Sequence, residues 1–279
     1  MKCFVCGEEM THYMTKKIST QYLDGVDTFE YVRCPNCHLV VSKTLYEMSH
    51  EDFMAFNNAA HEDLFNGVLK FEDLDPQWLN RLEIQADMFV SLVKLGVLKY
   101  DLKTIDYGAG DGKLANKINK KLGRVWLKNF DAYIKPFNEN YWSADEVKPA
   151  SFDFLVSTSV FEHLFGNQGD VDKIIGLIKP DGIMALHTLI CEEVPQDPNW
   201  HYLLSIPVHC TLWTNKAMSI VYEKSGFKGC AYNVESRMWL MFRNVDDFNN
   251  LKSKAALLKG TWQFKNEFVD YWKVKPYRN

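Results

Sequence analysis

The chain has 279 residues, 47% of them hydrophobic and 24% charged, and a formal net charge of −4. That allows one α/β domain with a smaller appendage, and the mild acidity gives nucleic acid or an anionic membrane no electrostatic support as the main partner. No apolar run approaches the roughly 20 residues of a membrane span, and the start Met1-Lys2-Cys3 has no apolar signal core. A cytoplasmic protein is expected, and in that reducing setting paired cysteines point to metal before disulfide.

Cys3-x-x-Cys6 and Cys34-x-x-Cys37 come first, separated by 27 residues. Each pair can offer two thiolates to one ion, and four close the tetrahedral shell of a structural zinc. His38 follows Cys37 directly, but a complete set of four thiolates needs no further ligand. Between the pairs, Lys17 to Leu23 and Thr28 to Arg33 read as strands, joined by Asp24-Gly25-Val26-Asp27, in which Asp-Gly is a hairpin turn signal. Residues 1–43 are therefore expected to form a zinc ribbon. Cys191, Cys210 and Cys230 are scattered and suggest no set.

Residues 44–99 read as a helical connector or cover. Leu79, Leu82, Ala86, Phe89, Val90, Val93 and Leu95 recur at helical spacing, with Asp75-Pro76 as a start and Gly96 as a stop. From residue 100 to 243 the pattern changes to short apolar runs alternating with helices. Strands are expected at Thr104 to Tyr107, Val125 to Phe130, Phe152 to Ser157 and Ile183 to Leu189. Helices are expected at Lys113 to Leu122, Val171 to Ile178 and Lys216 to Lys224, with Gly226 as the stop of the last. This alternation predicts a Rossmann-like doubly wound α/β sheet. Strands near Lys228 to Asn233 and Met238 to Arg243, with no helix between them, predict an antiparallel edge hairpin. Residues 244–279 read as a helical tail.

Gly108, Gly110 and Gly112 follow the first of these strands and lead into a helix, where open α/β sheets bind nucleosides. A dinucleotide fingerprint would need a small residue at the position of Lys113. Asp106 and Asp111 would also repel a pyrophosphate, whereas they suit a ligand bearing an ammonium and a sulfonium. Asp131 falls at the end of the second strand, where a carboxylate can accept from ribose hydroxyls. Tyr133 is placed to line an adenine site, Asp145 to accept from an adenine amino group, and Tyr107 to line the pocket or the core.

These residues resemble the class I S-adenosylmethionine-dependent methyltransferases, from about residue 100 to 243. Asp106, Gly108, Gly110 and Gly112 match the family's first motif, and Asp131 its following acid. Ser151 to Val156 resembles its fourth strand, and Phe161-Glu162-His163-Leu164 the frequent sequel. Ile178-Lys179-Pro180-Asp181-Gly182 resembles the turn before its fifth strand, and Leu212-Trp213-Thr214 through Ser225-Gly226-Phe227 the segment after it. The resemblance implies a seven-stranded methyltransferase sheet and S-adenosyl-L-methionine as cofactor beside the structural Zn2+. The N-terminal four-cysteine module further resembles the sugar C-methyltransferases, though this chain departs from them in being shorter.

In methyl transfer the donor is already activated, so the protein aligns the acceptor and, for a hydroxyl or an activated carbon, removes a proton. His201, His209, His163 and Glu162 are the candidate catalytic residues, since histidine titrates near neutral pH. His187 reads as a buried, satisfied histidine. The segment Ile190 to Trp213, rich in aromatic residues and histidine, reads as a substrate lid, which favours a small-molecule acceptor such as a sugar or sugar nucleotide. A zinc-ribbon RNA methyltransferase is the alternative. The net charge argues against it, as does Ser157-Thr158-Ser159-Val160 where amine-methylating nucleic-acid enzymes carry an N-P-P-Y type motif. A non-catalytic binding protein is a third reading, opposed by the intact glycine loop and Asp131.

Overall fold

The computed structural model describes residues 1–18, 26–65, 78–133, 138–164, 168–203 and 208–270. They form two compact units that share the chain: residues 1–78, 162–170 and 189–220 in one, and residues 79–161, 171–188 and 221–279 in the other. Among the described residues no helix is long and apolar enough to cross a membrane.

In the first unit, strands β1 (Thr11–Lys17), β2 (Thr28–Arg33) and β3 (Val40–Ser42) form an antiparallel meander. The first strand lies N-terminal to the one expected at Lys17 to Leu23. Residues 19–25, which include the expected Asp24-Gly25 turn, lie outside the described residues. Alternation makes β2 a strand: Phe29 and Tyr31 are fully buried while Glu30 between them is partly exposed. Two short helices follow, α1 (Lys43–Tyr46) and α2 (His50–Phe65). Phe53 and Phe56 of α2 join Phe29, Tyr31, Val40 and Leu45 in the core.

The sheet of this unit is completed from far along the chain. Strands β8 (Ile190–Cys191) and β9 (Thr211–Thr214) add to it in the order β1-β2-β3-β9-β8. Val194, Leu203, Val208, Cys210 and Leu212 enter the same core. The segment read as a lid is thus, in part, sheet and core. Its two strands are too short for periodicity to reveal; they pair with each other, and β9 also pairs with the distant β3.

In the second unit, helix α3 (Trp78–Lys94) buries Leu82, Ala86, Phe89, Val90 and Val93, the expected face. Its expected start at Asp75-Pro76 lies outside the described residues. Strands β4 (Thr104–Tyr107), β5 (Asn129–Phe130), β6 (Phe152–Thr158) and β7 (Ile178–His187) pair in parallel. Strands β10 (Gly229–Asn233), β11 (Met238–Phe242) and β12 (Trp262–Lys265) extend the sheet antiparallel. The order is β12-β10-β11-β7-β6-β4-β5, a seven-stranded doubly wound sheet with its antiparallel hairpin. The turn expected at Pro180-Asp181-Gly182 lies inside β7, where the register with β6 shifts between Phe152 and Phe154. The second strand, expected from Val125, is confined to Asn129–Phe130.

Helices α4 (Lys113–Leu122), α5 (Gln168–Gly176), α6 (Asn215–Lys224) and α7 (Val245–Lys254) complete the chain's regular helices among the described residues. Helix α4 buries Leu114, Ala115 and Ile118 and ends at Gly123, whose φ of 69° lets its N–H reach the Asn119 and Lys120 carbonyls. The tail from 244 is not wholly helical. After α7 it supplies β12 as the outer strand, paired antiparallel with β10 and with the Phe264 ring 6.1 Å from Phe248 of α7.

Candidate functional site

Strand β4 ends at Tyr107, and the chain turns through five residues into α4. Gly108, Gly110 and Gly112 hold φ of 74°, 53° and 72°, a region that favours glycine. A Cβ on Gly108 would meet Val160 Cγ2 at 2.4 Å, and one on Gly112 would meet Asn129 Nδ2 at 2.5 Å and the Tyr141 hydroxyl at 2.9 Å. At Gly110 no heavy atom of the described residues lies within 4 Å of that position, so among them the backbone is uncrowded there. The loop is tied to the end of β5. The Gly108 and Ala109 N–H groups donate to the Phe130 carbonyl at 2.8 and 3.1 Å. Gly110 N–H donates to Asp131 Oδ2 at 2.9 Å, and the Tyr141 hydroxyl donates to the Gly110 carbonyl at 2.8 Å.

Beneath the loop lies a buried polar pair. Asp106 and Asn129 are in register across β4 and β5 and are 2% and 1% exposed. Among the described residues, Asp106 Oδ1 and both amide atoms of Asn129 have no hydrogen-bond partner. Buried polar atoms without partners are rare and mark a place where a ligand or water completes the bonding. Burial, and secondarily the nearby Asp131 charge, push the Asp106 carboxyl up to about 7.

Two clusters lie in the first unit. Ligand-type atoms of Glu162, His163 and His209 lie within 4.8 Å of one another. The His209 Nδ1–H donates to the Tyr202 carbonyl at 2.6 Å, with the rings 4.3 Å apart. That bond leaves the lone pair of a neutral His209 on Nε2. The other cluster is Cys3, Cys6, Cys34 and Cys37. Its sulfurs lie 3.5 Å apart for Cys3–Cys37 and 3.3 Å for Cys6–Cys34, close to the about 3.8 Å of a tetrahedral zinc–thiolate shell. Each knuckle closes on a residue with positive φ, Gly7 at 84° and His38 at 63°. The Cys37 thiol, hydrogen-bonding to Cys3, draws the Cys3 thiol down to about 5, while Cys37 itself is raised. The donor set and spacing therefore fit zinc.

A family model described as a methyltransferase domain matches residues 81–231, more than half of the chain. The chain belongs to this methyltransferase family. It is an S-adenosylmethionine-dependent enzyme. Among solved structures, the methyltransferase is similar to one from Thermotoga maritima described as a possible histamine N-methyltransferase, at 12% identity and TM-score 0.35, over 62% of this chain and 98% of that one. It is also similar to an O-methyltransferase family protein from Burkholderia thailandensis, at 12% identity and TM-score 0.42, over 71% and 61%. A third is phosphoethanolamine N-methyltransferase 2 of Haemonchus contortus in complex with S-adenosyl-L-methionine, at 14% identity and TM-score 0.39, over 61% and 43%. No curated protein sequence matches the chain. The uncrowded backbone at Gly110 and the unpartnered Asp106 oxygen fit the cofactor of this methyltransferase.

Of the residues read from the sequence, the structure brings Asp106, Gly108, Gly110 and Asp131 together. Asp111 is exposed and turned back on the helix start, pairing with Lys113 Nζ at 2.6 Å and accepting the Lys113 N–H at 3.2 Å. Tyr107 packs its ring 5.3 Å from Phe130. Tyr133 is 57% exposed and gives its N–H to Asp131 Oδ1 at 2.9 Å. Asp145 does not join the loop: it is exposed and its carboxyl is held low by the Ser143 hydroxyl. His201 is exposed beside Trp200, apart from the trio of Glu162, His163 and His209. His187 is buried, and that burial lowers its pKa and keeps it neutral. His38 faces Glu193 at 3.4 Å instead of the thiols. Sequence reasoning missed Asn129 and Tyr141. Asn129 stands two residues before Asp131, but Tyr141 reaches the loop through a bridge to Asn129 that no local pattern announces.

Proposed function

We propose that this methyltransferase acts on a small-molecule acceptor bearing a hydroxyl, of the sugar or sugar-nucleotide class. Asp106, Gly108, Gly110 and Asp131, with Tyr107 and Tyr133 at the margins, would hold the cofactor. Glu162, His163 and His209 would serve the acceptor. S-adenosylmethionine supplies a methyl group on a sulfonium, which leaves as a neutral thioether. What remains for the chain is to orient the acceptor and manage its proton. Asp131, held by the Gly110 and Tyr133 N–H groups, would accept from ribose hydroxyls.

One observation carries the acceptor reading: His209 is held in a single tautomer by the Tyr202 carbonyl, in a cluster with Glu162 and His163. A base or aligning group must present a defined lone pair, and this bond defines it. Glu162 follows Thr158, the last residue of β6, by four positions, and residues just past the carboxyl ends of such strands line substrate sites. The four-cysteine cluster is read as a structural zinc site within residues 1–43. A four-thiolate zinc site beside three further cysteines outside any disulfide suits a reducing cytoplasm.

Incubation of the enzyme with methyl-labelled S-adenosylmethionine, a metabolite extract and total RNA tests the reading. Label is expected in a polyhydroxylated small molecule, and His209→Gln should abolish its transfer. Label recovered in RNA alone would overturn the acceptor class.

A further inference from the structure

The trio of Glu162, His163 and His209 has a composition and setting that general acid–base chemistry leaves unexplained. One carboxylate and two imidazoles, with ligand-type atoms within 4.8 Å of one another, converge from two chain segments 46 residues apart between His163 and His209. An ion with bonds of about 2.1 Å needs such atoms about 3.0–3.4 Å apart, within reach of small side-chain rotations. Glu162 is 3% exposed and His209 9%, so both are largely withdrawn from bulk water, and a carboxylate attracts a cation more strongly in such a low-dielectric setting than in water.

The surroundings of the trio hold it in place. The Cys210 thiol donates to the Leu164 carbonyl at 2.9 Å, and the Thr211 hydroxyl donates to the same oxygen at 2.8 Å. These bonds clamp the turn that carries Glu162 and His163 to the strand that follows His209. The Nδ1–H of His209 bonded to a backbone carbonyl is the kind of outer contact that orients metal-binding histidines and sets their tautomer.

We infer that Glu162, His163 and His209 bind one divalent first-row cation, through two imidazole nitrogens and one carboxylate oxygen. Three protein ligands leave coordination positions open, unlike the closed four-thiolate set. The inference rests on the reading of this trio as the acceptor site: an acceptor hydroxyl would occupy an open position on the ion. His209 acts in this scheme as a ligand.

Metal content of the full-length enzyme, after dialysis against MnCl2 in one arm and ZnCl2 in another, tests the site without requiring turnover. One ion per chain beyond the thiolate-bound zinc is expected in at least one arm. Pulsed electron paramagnetic resonance of the Mn2+ form should detect 14N coupling from imidazole. Glu162→Gln and His209→Gln should weaken the second ion about tenfold or more, with the thiolate zinc and S-adenosylmethionine binding retained as evidence of folding. Wild-type enzyme holding only the thiolate zinc in both arms would overturn the inference, as would variants that keep the second ion. If methyl transfer to a small molecule persists while no second ion binds, the acceptor reading stands and the metal site falls.

Discussion

Gly108 offers the sharpest test of the loop. An alanine there meets two separate penalties. Its φ of 74° costs an L-residue about 1–2 kcal/mol. Its Cβ would lie 2.4 Å from Val160 Cγ2 and 3.4 Å from Cγ1, an overlap of the kind that costs about 1–3 kcal/mol in packed sites. Gly108→Ala is thus expected to destabilise by about 2–5 kcal/mol. If the loop shifts to escape, the Gly108 and Ala109 bonds to Phe130 weaken and cofactor affinity falls. The structure separates the two penalties. Val160→Ala removes both Cγ atoms and leaves Val160 Cβ at 3.5 Å, an ordinary contact. The double variant should therefore recover the overlap part and keep only the φ part. Thermal unfolding measures stability, and calorimetry with S-adenosylmethionine measures affinity. A Gly108→Ala enzyme that matches wild type in both, or a double variant that recovers nothing, would refute the reasoning.

Three further outcomes are expected. Asp131→Ala removes the carboxylate proposed to accept from the ribose hydroxyls; at about 1.5–3 kcal/mol for a hydrogen bond to a charged acceptor, S-adenosylmethionine binding should weaken roughly 10–150-fold, and calorimetry would show it. Asp106 has a folded pKa near 7, above its unfolded value of 3.8, so between these the folded state binds more protons and stability falls as pH rises. Above about 7 this contribution is constant; Asp106→Asn should flatten the slope between pH 4 and 7, by at most about 1.4 kcal/mol per pH unit, in urea unfolding followed across pH. Cys34→Ser should lose about one zinc per chain and loosen β9, because the Thr214 hydroxyl donates to the Cys37 carbonyl at 2.6 Å and Phe4 packs on Trp213. Hydrogen exchange at residues 211–214 would report it.

What the sequence disclosed and what it hid follow from where each element finds its partners. Strand Thr104–Tyr107 and helix Lys113–Leu122 lie at the residues read for them, because their signals are local: a buried run, a glycine turn, an amphipathic face closed by Gly123. The hairpin of β10 and β11 was legible for the same reason. Strands β8 and β9 were not, since Thr211–Thr214 pairs with the distant β3 and Ile190–Cys191 pairs in turn with β9. At the site, the glycines and Asp131 announced themselves by spacing. Asp145 misled because an acid at a plausible distance along the chain says nothing about which hydroxyl it will meet, and it met Ser143. His201 and His209 looked equivalent in sequence; only the Tyr202 carbonyl and the company of Glu162 and His163 set His209 apart.

The pairing of Val41 with Thr211 also sets a timetable for synthesis. The two residues are 170 positions apart, so at 5–20 residues per second the valine edge of β3 waits roughly 10–30 s for its neighbour. An unpaired valine strand in a nascent chain is a template for the wrong partner. All four cysteines have emerged by Cys37, long before that neighbour exists. On the zinc reading, the ion gives the nascent segment a shape of its own during the wait. Zinc shortage would then first appear as aggregation of newly made chains, ahead of any loss from enzyme already folded.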